Sequence, residues 1–297
     1  MKASIKLVLI LLLTAKSVNA QEKIDLFGIS FTHNPNVGLK DPANSQLEGL
    51  DLSVTELDAF LKYPIKLKNE KTILINTLKW HFVKAPFDDL PADRSFEANL
   101  HSIQYDFTVR HKLSEKWIGI VSLSPTLASN FKNGISGDDF FFQGMVGFKY
   151  QQNRFMSYGA GVSYTNGFGE PKTVPILLFD YKTDRIKISI KAPVSASFKY
   201  KSKKVSYGLD AKLEGGQYNL ASNNNSGSIT SNNETVKFSR YNIGPAIGWN
   251  FDKNYRFEVS AGISLKRTLK AVDNNGIETD YDLDNGLFLK TSFYFGK

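Results

Sequence analysis

The sequence predicts an all-β protein: one closed antiparallel transmembrane β-barrel of about 14 strands. Three observations carry this expectation. Apolar and polar residues alternate with a period of two through most of the chain. Aromatic residues gather near the ends of the alternating runs. Short and long connections between runs follow one another in turn. A period of two gives a strand two different faces. Aromatic girdles and alternating short and long connections are the marks of an outer-membrane barrel.

The alternation is plainest near the C-terminus. In "GLFLKTSFYFGK", Leu287, Leu289, Thr291, Phe293 and Phe295 fall on one face. In "YRFEVSAGISLK", Tyr255, Phe257, Val259, Ala261, Ile263 and Leu265 oppose Arg256, Glu258, Ser260, Gly262, Ser264 and Lys266. "VSYGLDAKLE" sets Val205, Tyr207, Leu209, Ala211 and Leu213 against Ser206, Gly208, Asp210, Lys212 and Glu214. The same pattern runs through "IKISIKA", "IQYDFTVRH" and "FFQGMVGFKY". A water-soluble sandwich also alternates. Strand length, aromatic ends and the rhythm of connections favour the barrel, since Greek-key links have no reason to alternate in length. No helical period appears, and in hydrocarbon only helices and closed barrels satisfy their backbone.

The connections also count the strands. Short turns are expected at Asn69–Glu70, Ser114–Glu115, Gln152–Asn153, Thr183–Asp184, Lys201–Lys203 and Asp252–Asn254, on the periplasmic side. Longer outer loops are expected at Lys84–Ala98, Asn130–Asp138, Phe168–Lys172, Ala221–Glu234 and Asp273–Gly276. Strands are then placed at Ile24–Thr32, Leu50–Leu67, Lys71–Val83, Asn99–Lys112, Lys116–Ser129, Asp139–Gln151, Arg154–Gly167 and Thr173–Lys182. Six follow at Arg185–Ala192, Val194–Tyr200, Lys204–Leu220, Thr235–Phe251, Asn254–Val272 and Glu278–Phe295. The division at Pro193 keeps the short–long rhythm, because proline suits a turn or a strand end. A barrel of 12 strands, with Ile24–Thr32 outside the wall, is the rival count. Pro245 lies inside an otherwise regular strand, where a bulge is expected.

The N-terminus has the pattern of a secretory signal peptide. Lys2 and Lys6 precede an apolar run from Leu7 to Leu13, and Val18 and Ala20 precede Gln21. Residues 1–20 are therefore expected to be cleaved, leaving 21–297 as a single barrel domain. The apolar run is too short to span a membrane. With no cysteine in the chain, a disulfide framework is excluded. Without residues 1–20, 34 basic side chains face 29 acidic ones, a net charge of +5. These charges are scattered along the strands, so no nucleic acid is expected as a partner.

Five segments together carry a resemblance: "DLFGISFTHNPNV", "FLKYPIKL", "VPILLFDY", "APVSASFKYK" and "LEGGQYNL". With the closing strand, they resemble an uncharacterised outer-membrane β-barrel family of Bacteroidetes, a domain of unknown function. The similarity covers Ile24–Lys297. It implies a barrel in the outer membrane of a Gram-negative bacterium, and it implies no chemistry. Expected partners are outer-membrane lipid and the barrel-assembly machinery, the latter through the aromatic C-terminal strand. Gly296 and Lys297 follow that strand's last aromatic, a departure from the usual terminal Phe.

No catalytic motif is found. His33, His81, His101 and His111 have no metal-like spacing and read as interface or loop residues. "NGFGEP" is a glycine-rich turn without the Lys-Ser/Thr of a phosphate loop. Asp88–Asp89 and Asp138–Asp139 read as solvated loop acids. No cofactor or metal is expected. The functional clue is the polar face, where the candidate lumen-facing residues are Asp106, Arg110, Lys149, Lys187, Lys191, Asp210, Lys212, Glu214, Arg256, Glu258 and Lys266. Their neighbours Ile188, Leu209, Val259 and Ile263 are expected to face lipid. Such an interior suits a porin-like passive pore for a small polar solute. It also suits a non-conducting structural or interaction barrel that displays its outer loops. A lipid-modifying enzyme is a third reading.

Cell fractionation checks the placement. The protein should stay in the membrane through carbonate extraction, and unboiled samples should migrate differently from boiled ones on a denaturing gel. Release by carbonate with no heat-dependent shift would contradict a transmembrane barrel.

Overall fold

The computed structural model describes residues 24–40, 50–86, 97–132, 134–220, 233–273 and 275–296. The expected leader over residues 1–20, the Asp88–Asp89 pair and most of Ala221–Glu234 lie outside them. The described chain is strand almost throughout. The elements are β1 (Asp25–Lys40), β2 (Leu50–Lys66), β3 (Thr72–Pro86), β4 (Glu97–Lys112) and β5 (Trp117–Ser129). They continue with β6 (Phe140–Gln151), β7 (Met156–Thr165), β8 (Lys172–Lys182), β9 (Ile186–Ala192) and β10 (Ser195–Ser202). The last are β11 (Val205–Asn219), β12 (Asn233–Asn250), β13 (Tyr255–Asp273), β14 (Glu278–Leu283) and β15 (Gly286–Gly296).

Each strand pairs antiparallel with its sequence neighbours. The sheet closes because β1 pairs with β2 on one side and with β15 and β14 on the other. β14 and β15 are two parts of one stave: both pair with β13 and both with β1. The wall is therefore a closed antiparallel barrel of 14 staves. The 12-stave alternative fails, since β1 is hydrogen-bonded into the wall through Ile29↔Phe293 and Ile29↔Ala59. β1 also runs on to Lys40, well past the expected Thr32, because its extension meets Leu50, Asp51 and Leu52 of an equally long β2.

Inside and outside follow from contacts that cross the sheet. Arg240 on β12 meets Glu56 on β2, and Lys290 on β15 meets Glu214 on β11. These strands are not neighbours, so both contacts cross the lumen. Directly paired residues share a face, and the parity then propagates around the wall. On the opposite parity stand Phe31, Leu78, Ile103, Leu123, Phe148, Leu177, Leu209, Ile263 and Leu287, all exposed. A contiguous apolar exterior of this extent is a lipid-facing surface. Two aromatic belts bound it. Near the short turns, Trp117 and Tyr150 have ring centroids 5.2 Å apart, and Tyr255 and Phe295 5.3 Å apart. Toward the long loops, the corresponding pairs are Phe82–His101 at 4.8 Å and Phe140–Phe142 at 5.0 Å.

Pro193 forms the expected tight turn, closed by the Val194 N–H donating to Lys191 O at 2.7 Å. Pro245 corrects an expectation. The β12–β13 register is the same on either side of it, Ile243↔Ile263 and Ala246↔Ser260, so no residue is inserted. The wall accommodates Pro245 by losing ladder pairs at Gly244 and Pro245 on the β13 side alone, while both keep their pairs with β11. Tight approach of the two backbones helps: a Cβ on Gly262 would lie 2.1 Å from the carbonyl oxygen of Ile243. The bulge sits higher, where the register shifts between Ser239↔Thr268 and Tyr241↔Leu265, with Lys266 at φ 49°.

The staves differ in height. β9 and β10 have 7 and 8 residues, whereas β12 and β13 have 18 and 19. Above the short staves the tall ones lean together until Asn219 of β11 pairs with Ser129 of β5. The contact is held by the Asn130 N–H on Asn219 O at 3.2 Å and by Asn219 Nδ2 on Asp139 Oδ1 at 2.8 Å. Asp139, read from the sequence as a solvated loop acid, is buried here, because it caps the 3-10 turn Gly137–Asp139 and ties it to β11. The narrowed end is filled by apolar inward side chains: Val54, Val83, Leu100, Tyr218, Val236, Leu269 and Tyr281. The barrel thus has a dry cap at its long-loop end.

Adjacent substitutions on β11 test the facing. Leu209→Arg puts a charge on the lipid side and should cost about 2–4 kcal/mol of barrel stability. Asp210→Asn, on the inner face, should leave folding into lipid vesicles nearly unchanged. The opposite ranking would mean that the register is slipped by one.

Candidate functional site: a polar chamber beneath the cap

Below the cap the lumen opens into a cavity of about 610 Å³. Its two sides differ chemically. β4 to β7 contribute hydroxyl and amide groups, including Ser102, Thr108, Ser122, Thr126, Gln143 and Ser163. These side chains hold one another: Thr108 and Ser122 hydroxyls are 2.9 Å apart, and Thr165 Oγ1 donates to Gln143 Oε1 at 3.0 Å. β2, β3, β9, β11 and β15 contribute charge: Glu56, Asp58, Lys79, His81, Lys191, Lys212, Glu214 and Lys290.

The charged side is a network that crosses the barrel. Arg240, only 4% exposed, pairs with Glu56, which is 1% exposed, and its Nη2 lies 3.2 Å from Glu214 Oε2. Glu214 also takes Lys212 Nζ at 3.0 Å, Lys290 Nζ at 3.3 Å and Asn242 Nδ2 at 2.7 Å. His81 Nδ1 lies 2.6 Å from Asp58 Oδ1, and Lys79 Nζ lies 2.6 Å from Asp106 Oδ2. Each of these carboxylates meets a cationic partner or a histidine. Isolated carboxylates would be expensive in such a place, so pairing is what permits them.

The expected lumen residues are distributed along this interior. Asp106, Lys191, Lys212 and Glu214 line the chamber. Closer to the short turns, Lys149 pairs with Asp180, and Lys199 bridges Glu258 at 2.6 Å and Asp210 at 3.7 Å. Arg256 lies 3.0 Å from Asp25 and stacks over the Tyr294 ring at 4.3 Å. Arg110 and Lys187 share the inward parity of their strands. Lys266 is different. It is exposed at the bulge, and Arg267 takes the buried inward position instead. An inserted residue shifts the alternation, which a strict period of two cannot anticipate.

Sequence reasoning missed Glu56, Asp58, His81, Arg240 and Lys290. The signal was present for three of them. "VTELDAFLK" sets Glu56, Asp58, Phe60 and Lys62 against Leu57, Ala59 and Leu61, and "FSRYNIG" places Arg240 with Phe238 and Asn242. His81 was read as an interface residue. Its parity, opposite to Trp80 and Phe82, turns it to the lumen. Among the described residues no group of three or more His, Asp or Glu side chains is arranged to hold a metal ion.

The chamber wall also reaches the step where the short staves end. There Tyr164, Asn166, Gly167, Val194 and Leu213 line it. The β7–β8 connection lies over this step. A Cβ on Gly215 would run into the Phe238 carbonyl oxygen of β12 and come 2.6 Å from the Gly167 carbonyl oxygen, so glycine lets both β12 and the connection seat closely on β11. Glu170, in the same connection, is held by Lys172 at 2.7 Å, and that contact keeps its carboxyl below the usual range.

The chain belongs to a family described as a domain of unknown function, DUF6268, whose profile matches residues 16–297. No curated protein matches it significantly in sequence. Among solved structures it is similar to the toluene transporter TodX of P. putida, at 9% identity and a TM-score of 0.43, over 94% of this chain and 91% of that one. It is similar to a Pseudomonas aeruginosa FadL homologue, at 9% identity and a TM-score of 0.47, over 92% and 90%. LpxR from Salmonella typhimurium is also similar, at 10% identity and a TM-score of 0.33, over 90% and 100%.

The buried network gives a stability test. Arg240→Met takes the cation from buried Glu56, while Glu214 keeps Lys212 and Lys290, and should cost about 3–5 kcal/mol. Adding Glu56→Gln, which removes the carboxylate left unpaired, should restore much of that in urea titrations of the vesicle-folded protein. Equal loss in the single and double variants would mean that Arg240 acts through packing alone.

Proposed function

We propose that this DUF6268 barrel is an outer-membrane channel that passes a small polar solute through the chamber. Its short turns lie on the periplasmic side and its long loops outside. The observation that carries the reading is the cavity of about 610 Å³, walled by hydroxyl, amide and charged side chains inside a lipid-facing barrel. A purely structural barrel gains nothing from an open polar interior, which leaves more side chains to solvate than a packed one. The size suits one small solute with its water. Because the apolar cap fills the axial route, the outer opening is assigned to the step above β9 and β10, beneath the β7–β8 connection.

The cap also supports a second reading, a non-conducting barrel that presents its loops. Planar-bilayer recording separates the two. Folded protein should give discrete current steps. Gly215→Val, which pushes against both Phe238 O of β12 and Gly167 O, should enlarge them by unseating the β7–β8 connection, with the heat-dependent gel shift showing that the wall still closes. Silence from correctly folded barrels would favour the second reading. Steps unchanged by Gly215→Val would place the outer opening elsewhere.

A further inference from the structure

The charges of the lumen are not balanced in kind. Four carboxylates line the chamber: Glu56, Asp58, Asp106 and Glu214. Each has a partner, respectively Arg240, His81, Lys79, and the set of Arg240, Lys212 and Lys290. Four lysines line it as well, Lys79, Lys191, Lys212 and Lys290, and they are not all paired. Lys191 lines the same chamber, and no carboxylate among the described residues lies within 4.0 Å of its ammonium group. The same holds for Lys62, Arg110 and Lys187 on the inner face nearer the short turns. Lys62 lies within electrostatic reach of Asp25 and Asp106 as well as of Lys79 and Lys187, and Lys191 within reach of Asp106 as well as of Lys79, but Asp25 is already held by Arg256 and Asp106 by Lys79. Like charges so arranged repel, and their mutual repulsion falls when an anion enters between them.

The wall formed by β4 to β7 adds a second preference. Thr108, Ser122, Ser124, Thr126 and Ser163 line it with hydroxyl groups, which donate and accept hydrogen bonds without imposing a charge. A solute in the chamber meets Lys191, a cation with no carboxylate partner, and the uncharged hydroxyls of β4 to β7, whose one carboxylate, Asp106, is held by Lys79. We propose that the chamber takes a small anion that itself carries hydroxyl groups, a polyhydroxylated carboxylate or phosphate ester, with Lys191 as its principal cationic contact. The proposal rests on the channel reading for transport but not for binding.

Two measurements keep these apart. Gluconate serves as the anionic probe and sorbitol as its neutral counterpart, added at equal ionic strength to the full barrel in detergent. Gluconate should bind and raise the unfolding temperature, and sorbitol should not. Lys191→Gln should weaken gluconate binding about tenfold, the loss expected for one hydrogen bond to a charged group. The heat-dependent gel shift shows that the variant is folded. In bilayers under a salt gradient, the reversal potential should have the sign of chloride preference and move toward zero in Lys187→Gln/Lys191→Gln. Gluconate binding without current leaves the anion site standing and removes the channel. Current with cation preference, or equal binding of gluconate and sorbitol, overturns the anion site. So does gluconate binding that Lys191→Gln leaves intact.

Discussion

Everything in this molecule depends on the seam between β1 and the β14–β15 stave. A sheet in hydrocarbon cannot leave an edge, because each unpaired N–H or C=O would lie in a medium with nothing to bond to. Pairs such as Ile29↔Phe293 and Leu39↔Leu283 remove that edge. Closure then fixes the rest. Once the wall is a cylinder, alternate side chains have only two places to go. The sequence fills one with Leu, Ile, Val and Phe and the other with charge and hydroxyl groups.

Unequal stave height turns this simple cylinder into a vessel capped at one end. Had all staves matched β12 and β13, the lumen would continue upward as a polar tube. Because β9 and β10 stop early, the remaining wall bends across until β11 reaches β5. The inward residues packed in the cap are largely apolar, and those that line the chamber are largely polar. The change of chemistry along a single strand follows the change in surroundings. On β2, Val54 enters the cap, while Glu56 and Asp58, one and two positions further along the inner face, meet Arg240 and His81.

The ion-pair network at that boundary has two physical consequences. It lets carboxylates and a guanidinium sit almost wholly buried, at the cost of requiring all of them together. It also consumes the negative charge of the chamber. Glu214 alone satisfies Arg240, Lys212 and Lys290, and Asp106 is taken by Lys79. What stays available to a solute is therefore positive or neutral. An interior that looks mixed in composition is directional in its chemistry.

The sequence by itself determined the architecture. A period of two, aromatic run ends and alternating connection lengths are local properties, and they specify strands, faces and the stave count without knowledge of any long-range contact. Leu209 beside Asp210 already tells outside from inside once a cylinder is assumed. Three things needed the tertiary structure. The bulge at Lys266 and Arg267 arises from matching β13 to β12, so neither strand alone reveals it. The unbroken register at Pro245 likewise depends on how closely Gly244 and Gly262 let the two backbones approach. The cap and chamber depend on differences in height between staves far apart in the chain, and Arg240 finds Glu56 across 184 positions of sequence. Alternation says that a side chain points inward. Only the closed wall decides which inward side chains meet.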